Sequence, residues 1–193
     1  MDLRRPLSAK TVAAIDSGMG EYAVLVFRGQ DINDEEQLAF SRALGPIESS
    51  IGGNITRLDQ RRLGTDFADV SNLDQNQNIY VRDDRRRLFN LGNRLWHSDS
   101  SFRAVPAKYS LLSARSIPAD GPNTEYADMR AAYDTLDDKI KAEVEGLICE
   151  HSLMYSRGQL GFTDFTEEEQ QTFAPVRQVL VRTHPVTMRK SVA

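Results

Sequence analysis

Val12, Ile15 and Met19 fall on one face of a helix running from Ser8 to about Gly20, and Ser8 stands where an N-terminal cap belongs. Tyr22 to Phe27 breaks this pattern. Tyr-Ala-Val-Leu-Val-Phe is a short run of strand formers, which predicts a buried strand closed by Arg28-Gly29-Gln30. Asn33, with Glu36 three residues later, has the spacing of a reciprocal cap. It opens a helix carrying Leu38, Phe40 and Leu44 that stops at Gly45-Pro46. Residues 48–78 are polar and without period, so a long loop is expected there, either a lid or binding loop or an insertion without order.

Further along, Ile79 to Arg82, Arg94 to Asp99 and Tyr109 to Arg115 read as strands. Gly121-Pro122 marks a turn and Asn123 to Ala127 the strand after it. Asp128 caps a helix through Leu136. A second helix, about Asp137 to Glu150, carries Ile140, Val144, Leu147 and Ile148. Thr166 with Glu169 opens a short third helix, and Val179 to Thr183 is the last strand. No repeat, low-complexity tract or linker interrupts the series. Residues 1–193 therefore read as a single α+β domain whose strands carry the site.

Composition changes this picture little. The chain is 40% hydrophobic and 27% charged, the balance of a globular domain. A net charge of -4 argues against a nucleic-acid partner, whose phosphates want a basic surface. Arg85-Arg86-Arg87, following Asp83-Asp84, reads as a solvated turn rather than a phosphate patch. With one cysteine, Cys149, no intrachain disulfide can form, and its apolar helical position predicts packing rather than nucleophilic chemistry. No apolar stretch of signal-peptide or membrane-spanning kind is seen, so a cytoplasmic protein without a membrane partner is expected.

His97 and Asp99 carry the candidate chemistry. In a strand, residues i and i+2 share a face, so an imidazole and a carboxylate here reach one metal ion. Two histidines and a carboxylate on one face of an octahedron are the ligands of non-haem Fe(II) oxygenases. Spacing alone leaves the alternative open: a hydrogen-bonded His-Asp pair in which the carboxylate fixes an imidazole tautomer. Gly-x-Ser-x-Gly, phosphate-binding glycine loops and cysteine-rich zinc patterns are all missing.

The surroundings of the pair are more specific. Trp96-His97-Ser98-Asp99-Ser100-Ser101-Phe102 resembles the metal motif of the taurine/chlorophenoxyacetate dioxygenase family, TauD/TfdA. Val24 to Gln30, Phe40 to Pro46, Pro106 to Leu112, Thr124 to Tyr133, Val181 to Pro185 and Arg189 to Ser191 are similar to the same family in the same order. The Ser-Ser-Phe ending leans towards the chlorophenoxyacetate branch. The resemblance implies a distorted double-stranded β-helix, or jelly roll, with flanking helices. It implies Fe(II), with 2-oxoglutarate and O2 as co-substrates, and hydroxylation of a small anionic organic substrate such as an aryloxyalkanoate. His97 and Asp99 become iron ligands and Thr124 the hydroxyl that binds the distal carboxylate of 2-oxoglutarate. Asn93 and His184 become substrate contacts, with His151 a weaker candidate. Trp96 and Ser98 should face away from the metal, Trp96 in the core.

The match also departs from the family. The distal histidine and the 2-oxoglutarate-binding arginine lie, by resemblance, beyond Ala193, so the chain reads as short at both ends and the jelly roll as missing its C-terminal strands. Open strand edges leave room for a homo-oligomer. The alternatives are an inactive fragment of the family and an interaction domain with a structural His97–Asp99 pair.

Overall fold

Four helices begin at the side chains that the sequence marks as caps. In the computed structural model, which describes residues 1–121 and 123–193, α1 (Ala9–Tyr22) starts at Ser8, whose hydroxyl accepts from Thr11 N. α2 (Asp34–Leu44) opens with the full reciprocal cap between Asn33 and Glu36. α4 (Met129–Asp134) starts at Asp128, and α7 (Glu167–Thr172) at a second reciprocal cap between Thr166 and Glu169. The remaining α-helices and β-strands are α3 (Arg85–Asn90), α5 (Asp138–Val144), β1 (Ile148–His151), α6 (Leu153–Gly158), β2 (Val176–Val179), β3 (Val181–Thr183) and β4 (Lys190–Val192), with 3₁₀ turns at Leu58–Gln60 and Leu91–Arg94. β1 pairs with β2, and β3 pairs antiparallel with β4, Arg182 opposite Ser191. Helices and antiparallel strands together bear out the α+β class.

The described residues divide into two compact units. The first comprises Met1–Ile47, Tyr109–Leu147 and Val179–Ala193. Its core gathers Leu3, Ile15, Ile32 and Phe40, with Met19, Leu25 and Phe27 packed against them. Gly18 lets the chain return close over α1, since a Cβ there would lie 3.3 Å from Leu25. α4 packs on β4, with Tyr133 buried and both Lys141 and Lys190 Nζ within 6 Å of its ring.

The second unit comprises Glu48–Lys108 and Ile148–Gln178. Phe89, only 1% exposed, is its centre. Phe162, Phe165 and Phe173 surround that ring edge-on or tilted at centroid distances of 5.7 to 6.4 Å. The 48–78 segment is an ordered loop pinned by arginines. Arg61 donates to Ser50 Oγ at 2.8 Å, and Arg62 forms a two-bond fork on Asp69. Arg103 donates to the Ser49 and Ile51 carbonyls.

Several expected strands are absent. Tyr22 belongs to α1, and residues 24–27 are irregular, with Val26 72% exposed. Residues 109–115 and 123–127 are also irregular. Ile79 makes one isolated bridge, to Leu73, and Arg94 ends a 3₁₀ turn. A strand exists only through a ladder of hydrogen bonds to a neighbour, and among the described residues none of these runs forms one beyond the single Ile79 bridge. The helix expected to reach Glu150 stops at Val144, because Gly146 adopts a left-handed φ of 77° and β1 follows. Cys149 consequently lies half-buried in β1 rather than on a helix. The arginine run 85–87 is the first turn of α3, not a solvated turn. Arg85 reaches Glu169 and Asp164, and Arg86 pairs with Asp84 and lies 4.4 Å above the Tyr80 ring. The Gly121-Pro122 turn falls on Pro122, outside the described residues.

Candidate metal centre

α3 delivers the chain into a 3₁₀ turn over Leu91–Arg94, and that turn sets the position of His97. Leu95 leaves in an extended conformation, with its N–H donating to the Gly92 carbonyl at 3.1 Å. Its own carbonyl lies 2.6 Å from His97 Nδ1. On the other side of the ring, His97 Nε2 is 3.2 Å from Asp99 Oδ1. The segment is not a strand, yet the two side chains meet as the i, i+2 spacing predicts.

Both neighbours of this imidazole are hydrogen-bond acceptors. Two electron-rich oxygens on opposite ring nitrogens are satisfied in two ways. Either the ring is a doubly protonated imidazolium, or Nδ1–H donates to Leu95 while the Nε2 lone pair and the carboxylate share a cation. The Asp99 hydrogen bond, helped by the Leu95 carbonyl, raises the His97 pKa above its ordinary value. The spacing also suits the second arrangement. Two ligand atoms about 2.1 Å from a metal and at right angles lie about 3.0 Å apart. The side chains remain 45% and 59% exposed, so an incoming ion can reach them. Among the described residues no group of three His, Cys, Asp or Glu side chains could hold a metal, so the pair fits two adjacent positions of a coordination sphere.

The chain after Asp99 is held firmly. Ser100 takes a left-handed φ of 55°, an uncommon conformation for a residue with a Cβ, and its hydroxyl donates to Glu48 at 3.0 Å. Buried Gln178 donates to the Arg103 carbonyl at 2.6 Å and the Ser101 carbonyl at 3.3 Å. Phe102 and Arg103 then line a cavity of about 370 Å³, together with Leu153, Phe173 and Val176.

A family model described as taurine catabolism dioxygenase TauD, TfdA family, matches residues 1–193. The chain belongs to the TauD/TfdA family. It is 42% identical over 193 residues to an alpha-ketoglutarate-dependent 2,4-dichlorophenoxyacetate dioxygenase of Cupriavidus pinatubonensis, a match covering 98% of this chain and 66% of that protein. A protein of the same name from a Burkholderia species is 40% identical, over 97% of this chain and 63% of the relative. Among solved structures, AAD-2 in complex with Mn(II) and N-oxalylglycine superposes with a TM-score of 0.96 at 58% identity, covering 100% of this chain and 66% of AAD-2. The chain thus spans about two thirds of the length of the curated relatives it matches.

The other candidates for a TauD/TfdA site are placed as follows. Asn93 sits in the 3₁₀ turn with its side-chain oxygen accepting from Arg157 at 3.3 Å. Thr124 is exposed in an irregular segment of the first unit. His184, also in the first unit, caps the β3–β4 turn: its Nδ1 accepts from Val186 N at 3.3 Å and Thr187 N at 3.1 Å. That occupies Nδ1 and leaves Nε2 as the atom able to meet a ligand. His151 Nε2 lies 3.2 Å from Cys149 Sγ within β1. Trp96, expected in the core, is 69% exposed, because the chain around His97 leaves the 3₁₀ turn as an irregular surface segment rather than a sheet strand. The Leu95 carbonyl, Gln178 and Arg157 were not legible as site residues: a carbonyl carries no sequence signal, and an isolated Gln or Arg reads as surface.

Proposed function

We propose that the chain carries the proximal part of an Fe(II)/2-oxoglutarate dioxygenase site acting on a small organic acid, an aryloxyalkanoate of the chlorophenoxyacetate kind. The observation that carries the reading is the His97–Asp99 pair, 3.2 Å apart with the Leu95 carbonyl on the opposite ring nitrogen, in a chain that belongs to this family over its whole length. The same match supports taking both units as parts of one catalytic domain, a distorted jelly roll with flanking helices whose further strands lie in the part of the relatives that this chain does not span.

His97 Nε2 and an Asp99 oxygen would hold the metal, and the Leu95 carbonyl keeps the ring in the tautomer that leaves Nε2 free to coordinate. Bound Fe(II) would supply the oxygen chemistry that no side chain offers. Thr124, as a hydroxyl donor, is assigned to the distal carboxylate of 2-oxoglutarate. Asn93 and the Nε2 side of His184 are assigned to the organic substrate. One O2 is consumed. One of its oxygen atoms goes into succinate as 2-oxoglutarate loses CO2, and the other into a C–H bond of the substrate. With an aryloxyacetate, hydroxylation beside the ether oxygen gives a hemiacetal that collapses to a phenol and glyoxylate.

The test is Fe(II)-dependent formation of succinate from 2-oxoglutarate in the presence of a phenoxyacetate, with phenol release measured alongside. Succinate and phenol in equal amounts from this chain joined to the C-terminal segment of the 42%-identical relative, and neither from the same protein carrying His97→Ala, is the expected result. Equal turnover in the variant would leave His97 and Asp99 as a structural hydrogen-bonded pair.

A further inference from the structure

Arg157 is the most deeply placed charge in the second unit. It is 9% exposed, its Nε has no hydrogen-bond partner, and its remaining bonds run to Ser156 Oγ and Asn93 Oδ1. Its bonds among the described residues go to neutral oxygens and not to a carboxylate, and burial pulls its pKa below the ordinary arginine value. Leaving a guanidinium buried and unpaired is costly, and a leucine would fill the space at lower cost. Its placement suggests what offsets that cost. The guanidinium stacks 4.8 Å above the Phe89 ring and lies directly against Gly92, where a Cβ would collide with Arg157 Cδ, Nε and Cζ.

From there a continuous set of contacts leads to the metal pair. Arg157 fixes Gly92 and Asn93, the Gly92 carbonyl accepts from Leu95 N, the Leu95 carbonyl holds His97 Nδ1, and His97 Nε2 meets Asp99. We propose that Arg157 is the positioning residue of the metal centre: wedged beneath the Leu91–Arg94 turn, it sets the Leu95 carbonyl that orients His97. The inference rests on the metal reading of His97 and Asp99. The planar fork matters as well as the charge, because one face lies on Phe89 while an edge bonds Asn93.

The experiment uses Co(II) and the full chain. Trp96 is the sole tryptophan and adjoins His97, so quenching of its fluorescence reports metal at the pair. Ring 15N spectra of the histidines at alkaline pH report the His97 tautomer without metal. Wild type should show one fixed His97 tautomer and saturable quenching that His97→Ala abolishes. Arg157→Leu should weaken Co(II) binding about 10-fold or more and give mixed His97 tautomers, and Arg157→Lys should not restore them. Gly92→Ala, whose Cβ would stand where Arg157 Cδ, Nε and Cζ lie, should reproduce both effects by displacing the guanidinium, with an unchanged far-ultraviolet circular dichroism spectrum showing that the fold is kept. Wild-type affinity and a single tautomer in Arg157→Leu and Gly92→Ala would overturn the proposal. If Co(II) quenches His97→Ala as strongly as wild type, the metal reading fails, and the ring spectra alone decide the role of Arg157.

Discussion

His97 shows how much of a site is made by atoms that leave no mark in a sequence. Its imidazole is oriented by a backbone carbonyl two residues back, and that carbonyl is set by a turn resting on a buried arginine more than sixty residues away. Asp128 is a simpler case, since its partners are local. The Arg130 side chain and the first-turn N–H groups of α4 hold its carboxyl down to about 2, from an ordinary 3.8. A depressed carboxyl binds its proton more weakly folded than unfolded, so its stabilisation is present above about pH 4 and is lost as pH falls through about 2. Thermal unfolding at pH 5 and at pH 2.5 should therefore show a smaller loss for Asp128→Asn than for wild type. Parallel losses in the two proteins would show that the cap and ion pair contribute nothing to acid stability.

At the level of elements, helix starts were legible and strands were not, for a physical reason. A cap is satisfied within four residues, so Ser8, Asn33, Asp128 and Thr166 could be read from the chain. Strand status depends on a partner elsewhere, so Tyr22 to Phe27, Tyr109 to Arg115 and Asn123 to Ala127 have strand composition without a ladder. Likewise, spacing brought His97 and Asp99 together correctly, while the strand assumed to carry them is a 3₁₀ turn followed by an irregular segment. The two reciprocal caps also differ in a testable way. Glu36 makes its cap bond without an ion pair among the described residues, whereas Glu169 additionally takes the Arg85 guanidinium in a partly buried pair. Glu36→Ala should cost about 0.5–1 kcal/mol and Glu169→Ala about 2 kcal/mol, measured by urea unfolding. Equal costs would show the Arg85 contact to be idle.

At the scale of the whole molecule, the family is established and each unit has its own core: aliphatic residues with Phe40 in the first, a phenylalanine cluster around Phe89 in the second. No helix among the described residues is long and apolar enough to cross a membrane. The resemblance in the motif around His97 was the most informative feature of the sequence, because it combined residue types that spacing alone leaves ambiguous. What it could not convey is how the pair is supported, which depends on Gly92, Leu95 and Arg157 meeting in space. The central claim is that His97 and Asp99 bind the metal. Its most direct test is an anaerobic titration with Fe(II) in the presence of 2-oxoglutarate, followed in the visible spectrum. A metal-to-ligand absorption band that saturates in wild type and is lost in both His97→Ala and Asp99→Ala is the predicted result. No band in wild type, or an undiminished band in either variant, would contradict it.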